Sequence, residues 1–88
     1  MIATQKSVVP IDFEGLRIYD FTAGLSTSAS FAVIEVPAGT RHREAYSKRS
    51  DKYYYLVSGE LCFSIEGEEQ LLSAGSFCLV SKGQRFSY

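Results

Sequence analysis

Polar and apolar residues change places one for one over several short stretches of the chain, the period of a β-strand and not of a helix. In "ELCFSIEG", Leu61, Phe63 and Ile65 fall on one side, while Cys62, Ser64 and Glu66 fall on the other. In "KYYYLV", Lys52, Tyr54 and Leu56 share one face, and Tyr53, Tyr55 and Val57 share the opposite one. Both faces of this second stretch are substantially apolar, which suits a sandwich strand also covered from outside. Glycines punctuate the pattern. Gly59, Gly67, Gly75 and Gly83 recur every eight residues, enclosing "ELCFSIE", "EEQLLSA" and "SFCLVSK". Short strands at that spacing predict an all-β sandwich or barrel of antiparallel strands. "GLRIYDF" and "SASFAVIEVP" carry the pattern toward the N-terminus. No window supplies the three- and four-residue spacing of a helix. The turn "IEGEEQ" predicts a tight hairpin at Gly67, where glycine accepts positive φ.

Composition narrows the class. Eighty-eight residues make one small domain, spanning 1–88, marginal alone and helped by a partner subunit. The apolar fraction of 45% and aromatic fraction of 14% are those of a globular chain. Nine basic against ten acidic residues leave a net charge of −1, which argues against a nucleic-acid partner. The start, "MIATQKSVVPIDFEG", lacks the uninterrupted apolar segment of a signal peptide, and no stretch reaches the length of a membrane span. A cytoplasmic protein with no membrane partner is the resulting expectation. Cys62 and Cys78 match no zinc spacing and read as reduced, buried small hydrophobes.

With the glycine frame in place, the chain resembles the cupin superfamily, whose members are small β-barrels of the jelly-roll type. Gly39 and Gly59 fit the glycines that bound that family's first motif (about 39–59), and Gly67 with "EEQLLSAG" fits the opening of its second (about 67–88). The resemblance implies that Ala45 and Ser47 stand where the family has two histidines, Lys52 where it has glutamate, and Phe86 where it has a further histidine. Alanine, a charged lysine and phenylalanine cannot bind a divalent cation, and a serine hydroxyl is a poor ligand for a transition metal. The expectation is a barrel with no metal and no cofactor. A shifted site built on His42 and Glu44, completed by Asp51 or Cys62, is the metal-binding alternative. Uninterrupted alternation places His42 and Glu44 opposite to Ala45 and Ser47, unless a bulge intervenes.

The resemblance further implies that Ser47, Lys52, Tyr54 and Phe86 project inward; with His42 they form the candidate ligand site, and no catalytic residue is assigned. An inward lysine can bind an anion, act as a base or Schiff-base nucleophile, pair with Glu44, or snorkel to the mouth. Phe86 favours an apolar or planar ligand. Three functions follow, the first being preferred: a non-catalytic module that binds or senses a small molecule. The second is a metal-independent isomerase or epimerase with His42 and Tyr54 as proton-transfer candidates. The third is an atypical metal-dependent oxygenase. Cupin barrels continue beyond the second motif, whereas this sequence stops at "RFSY". The edge left open, and the second apolar face of "KYYYLV", predict a homodimer that buries Tyr53 or Tyr55, the alternative being that the chain is a shortened form of a longer protein.

Overall fold

The computed structural model describes residues 1–88. All eight strands pair antiparallel, and the one helical segment is a 3₁₀ turn at Gln5–Ser7. The chain is therefore all-β, as alternation and glycine spacing predict. Its strands lie in three separate hydrogen-bonded sheets, and no ladder closes them into a barrel. No helix is long and apolar enough to cross a membrane. The chain divides into two compact units, Met1–Arg41 and His42–Tyr88.

In the first unit, β1 (Ile11–Phe13), β2 (Leu16–Asp20) and β3 (Ala32–Glu35) form a sheet in chain order. The β1–β2 connection is two residues, Glu14 and Gly15, both at positive φ (53° and 91°), as a tight hairpin matched to strand twist demands. The Asp12 carboxylate accepts the Gly15 backbone N–H at 3.2 Å and fixes that turn. Leu16, just beyond it, is fully buried. After β2, the Asp20 carboxylate accepts both the backbone N–H and the hydroxyl of Thr22 at 2.9 Å. Those bonds hold its pKa below the usual carboxylate value.

The second unit contains β4 (Lys52–Tyr55), β5 (Glu60–Ile65), β6 (Glu68–Ser73), β7 (Phe77–Val80) and β8 (Phe86–Ser87). Strands β4 and β7 form one pair, and β6, β5 and β8 form a three-stranded sheet with β5 central. The β5–β6 hairpin turns through Glu66 and Gly67, at φ 51° and 80°, where the sequence predicts it. Gln84 holds the β7–β8 connection by accepting the Ser81 backbone N–H at 2.9 Å. Burial follows the period of two. Phe63, Cys78, Val80, Phe86 and Tyr88 are the buried residues of this unit.

Candidate functional site

Strand β4 carries the first part of the site. Lys52 and Tyr54 are half-buried and Tyr53 and Tyr55 are exposed, so the two pairs lie on opposite faces. Across the ladder, Lys52 stands opposite the buried Val80, and Tyr54 opposite the buried Cys78. Strand β8 supplies Phe86 and leads to Tyr88, two residues on and therefore on the same face.

The segment before β4 pairs with β8 in an irregular way. His42 exchanges backbone hydrogen bonds with Tyr88 (2.6 and 3.3 Å), and Ala45 exchanges a pair with Phe86 (both 2.9 Å). One strand thus advances by three residues where its neighbour advances by two. The extra residue is a β-bulge, and it reverses the alternation between His42 and Ala45. Simple parity puts His42 on the face away from Ala45; the structure corrects this. The His42 ring instead stacks on Phe86 and Tyr88, at 5.6 and 5.0 Å between centroids.

Three of the five candidates, His42, Tyr54 and Phe86, therefore meet in one aromatic cluster with Phe63 and Tyr88. Tyr54 lies 5.2 Å from Phe63 and 5.9 Å from both Phe86 and Tyr88. Phe63 stacks nearly parallel to Phe86 at 6.2 Å and to Tyr88 at 5.4 Å. Each such pair contributes about 0.5–1.5 kcal/mol beyond its area burial. Phe63 and Phe86 are only 3% exposed, whereas His42, Lys52 and Tyr54 are half-buried. The accessible side of the cluster is thus the one His42 and Tyr54 present.

Electrostatics follows from that packing. Burial pushes the Tyr54 phenol well above its ordinary value, and the neighbouring Tyr88 and Cys78 push it further. Burial also raises Tyr88, to about 12, and raises the Cys78 thiol. At neutral pH both phenols are protonated hydrogen-bond donors and neither is a base.

The other candidates stand apart from the rings. Ser47 is held in the loop ahead of β4: its hydroxyl shares a hydrogen bond with that of Ser50 at 2.9 Å, and its carbonyl accepts the Gly83 N–H at 2.7 Å. Lys52 shares the face of Tyr54 but is not paired with Glu44, whose carboxylate takes Arg85 at 3.4 Å. Arg85 also lies 5.3 Å over the Tyr46 ring. The donors of the shifted metal site are similarly dispersed. The His42 Nδ1 contacts the Arg43 carbonyl at 2.6 Å, Asp51 accepts the Lys82 N–H, and the Cys62 thiol faces Glu69. No three His, Cys, Asp or Glu side chains converge anywhere in the chain.

Sequence reasoning passed over Phe63, Cys78 and Tyr88 as site residues. Alternation from Phe86 points to Tyr88, and the Leu61–Phe63–Ile65 face points to Phe63. Cys78 needed the β4–β7 register. An open depression of about 390 Å³ adjoins the cluster through Phe63 and Cys78, but includes none of the five candidates. Glu66, Glu68 and Glu69 on its walls are all exposed and screened by water. The better-defined site is the half-buried aromatic face.

No known protein family's sequence profile matches the chain, and no solved structure matches it. Two curated proteins do. The "Tetracenomycin polyketide synthase protein TcmJ" of Streptomyces glaucescens is 38% identical over 60 residues, covering 68% of this chain and 40% of that protein. The "Endoribonuclease YbeY" of Myxococcus xanthus is 33% identical over 84 residues, 92% of this chain and 28% of that protein. The chain thus spans less than half the length of either relative.

Proposed function

We propose that this chain is a cupin-type module that binds a planar small molecule without metal or catalysis and works as a cytoplasmic homodimer. The observation that carries this reading is the convergence of His42, Tyr54, Phe63, Phe86 and Tyr88 into one partly accessible aromatic cluster. Aromatic faces hold a flat ligand by stacking, and the protonated phenol of half-buried Tyr54 offers a donor to its oxygens. Lys52, on the face of Tyr54, adds a cation that suits a carboxylate or phenolate substituent. Similarity to a protein named for a polyketide synthase is in keeping with a small organic ligand. The ribonuclease name is not carried over, because the chain matches only 28% of that protein and its net charge of −1 gives no overall attraction to a polyanion. In the isomerase reading Tyr54, held protonated by burial, is left the donor's part alone, and the proton acceptor has to be His42.

The test is a binding screen followed by native mass spectrometry, using planar aromatic carboxylates, their neutral methyl esters and aliphatic acids of similar size. The aromatic acids bind best, and Lys52→Met abolishes the preference for acid over ester. Equal binding of all three classes, or an acid preference that survives Lys52→Met, defeats the proposal.

A further inference from the structure

Arg85 lies outside the aromatic site, on the other side of the bulge. Alternation from buried Phe86 turns its side chain away from the rings, and that side chain is 59% exposed. Its backbone is nonetheless anchored. The Arg85 carbonyl accepts the Glu66 N–H at 2.8 Å, and the Arg85 N–H donates to the Glu66 carboxylate at 3.3 Å. Glu66 belongs to the β5–β6 turn, so the arginine projects from a point tied to that hairpin.

From this anchor the guanidinium reaches both ends of a short stretch of the bulged segment. Its Nη1 donates to the Glu44 carboxylate at 3.4 Å, and its Cζ lies 5.3 Å over the Tyr46 ring. Glu44 is a residue of the bulge itself, and Tyr46 directly follows Ala45, whose backbone is paired with Phe86. The planar guanidinium suits both tasks, since it stacks by its face and donates from its edge.

What the bulge decides at this point is where a negative charge goes. Residues two apart on a regular strand share a face, so uninterrupted alternation would put Glu44 beside His42, on the ring side. The bulge turns Glu44 outward instead, and Arg85 meets it there with the opposite charge. A carboxylate on the ring side would repel an anionic ligand and compete for Lys52. Each contact of an exposed arginine is weak alone, but two on one segment shift a local register by on the order of tenfold.

We infer that Arg85 is a positioning residue of the ligand site: it holds the bulge between His42 and Ala45, and so keeps the Glu44 carboxylate off the face of His42 and Tyr54. This rests on the reading of the aromatic face as a site for an anionic planar ligand.

Amide hydrogen exchange by NMR on the full chain, without ligand, reads the local opening of the bulge. Arg85→Gln lowers protection of the Ala45 and Phe86 amides about tenfold and leaves the β5–β6 ladder unchanged. Binding of 2-naphthoate, a planar aromatic carboxylate, reads the charge. Arg85→Gln weakens it at least about threefold, and adding Glu44→Gln restores wild-type affinity, which a merely structural role of Arg85 would not allow. Should Arg85→Gln unfold the chain, Tyr46→Leu, which removes the ring beneath the guanidinium, is read in the same two ways. Unchanged protection, or an equal loss over all strands, overturns the hold of Arg85 on the bulge. Unchanged affinity, or a loss that Glu44→Gln does not reverse, overturns its placing of the carboxylate. Wild-type protein that binds no 2-naphthoate counts against the ligand reading alone, and exchange at Ala45 and Phe86 then decides the role of Arg85.

Discussion

Tyr88 packs against His42, Tyr54 and Phe63, and its phenol is among the buried groups whose ionisation folding opposes. Its pKa rises from the ordinary value of 10 to about 12, and that of Tyr54 rises in the same direction. The folded state therefore keeps these protons when the unfolded state has begun to lose them. Their contribution to stability is complete below pH 10 and is lost as pH climbs through the folded values. Denaturant midpoints should stay level on approaching pH 10 and then fall, with late tyrosinate absorbance appearing together with unfolding. Tyr54→Phe should remove part of that late absorbance; an unchanged late phase would place Tyr54 outside the buried set. At Lys52 the expectation concerns affinity. Loss of one charge-assisted hydrogen bond costs about 1.5–3 kcal/mol, so Lys52→Met should weaken an aromatic carboxylate roughly tenfold or more. Isothermal titration would read this, while a thermal melt close to wild type would show the fold unharmed.

Between residue and fold, the β5–β6 hairpin shows how directly a turn can be read. Its two-residue loop needs positive φ at both Glu66 and Gly67, and open space surrounds the position of a Cβ on Gly67. Gly67→Ala thus meets no clash and suffers only from the left-handed backbone, about 1–2 kcal/mol. In a domain of this size each kcal/mol lowers Tm by roughly 4–8 °C, so calorimetry should resolve the change. The eight-residue glycine spacing and the alternation in "KYYYLV" made the strands, the hairpin and the split between Lys52/Tyr54 and Tyr53/Tyr55 legible before any coordinates. Phe86 and Tyr54 were singled out through the family resemblance, and the structure sets their rings 5.9 Å apart. The place of His42 was not legible. It depends on a bulge that only the pairing of His42 with Tyr88 and of Ala45 with Phe86 reveals, and no residue type in "HREA" announces one. The pairing of Glu44 with Arg85 was equally hidden, because it joins side chains 41 positions apart.

At the scale of the whole molecule, the division at Arg41 and His42 was not legible from length, since 88 residues are few for two compact units. The metal-free reading belongs here as well, because it depends on donors from the entire chain. Elemental analysis of protein purified without chelators should find no iron, zinc, manganese or nickel in stoichiometric amount; close to one ion per chain, lost in Glu44→Ala, would overturn it. The bulge between His42 and Ala45 has a consequence for descent. It sets the phase of everything that precedes it relative to β8, so a single codon lost there would turn the imidazole from the rings toward the opposite side of the strand. Among relatives, a gap in this stretch would therefore count as a change of chemistry, whereas a gap of the same size in an exposed loop would change only length.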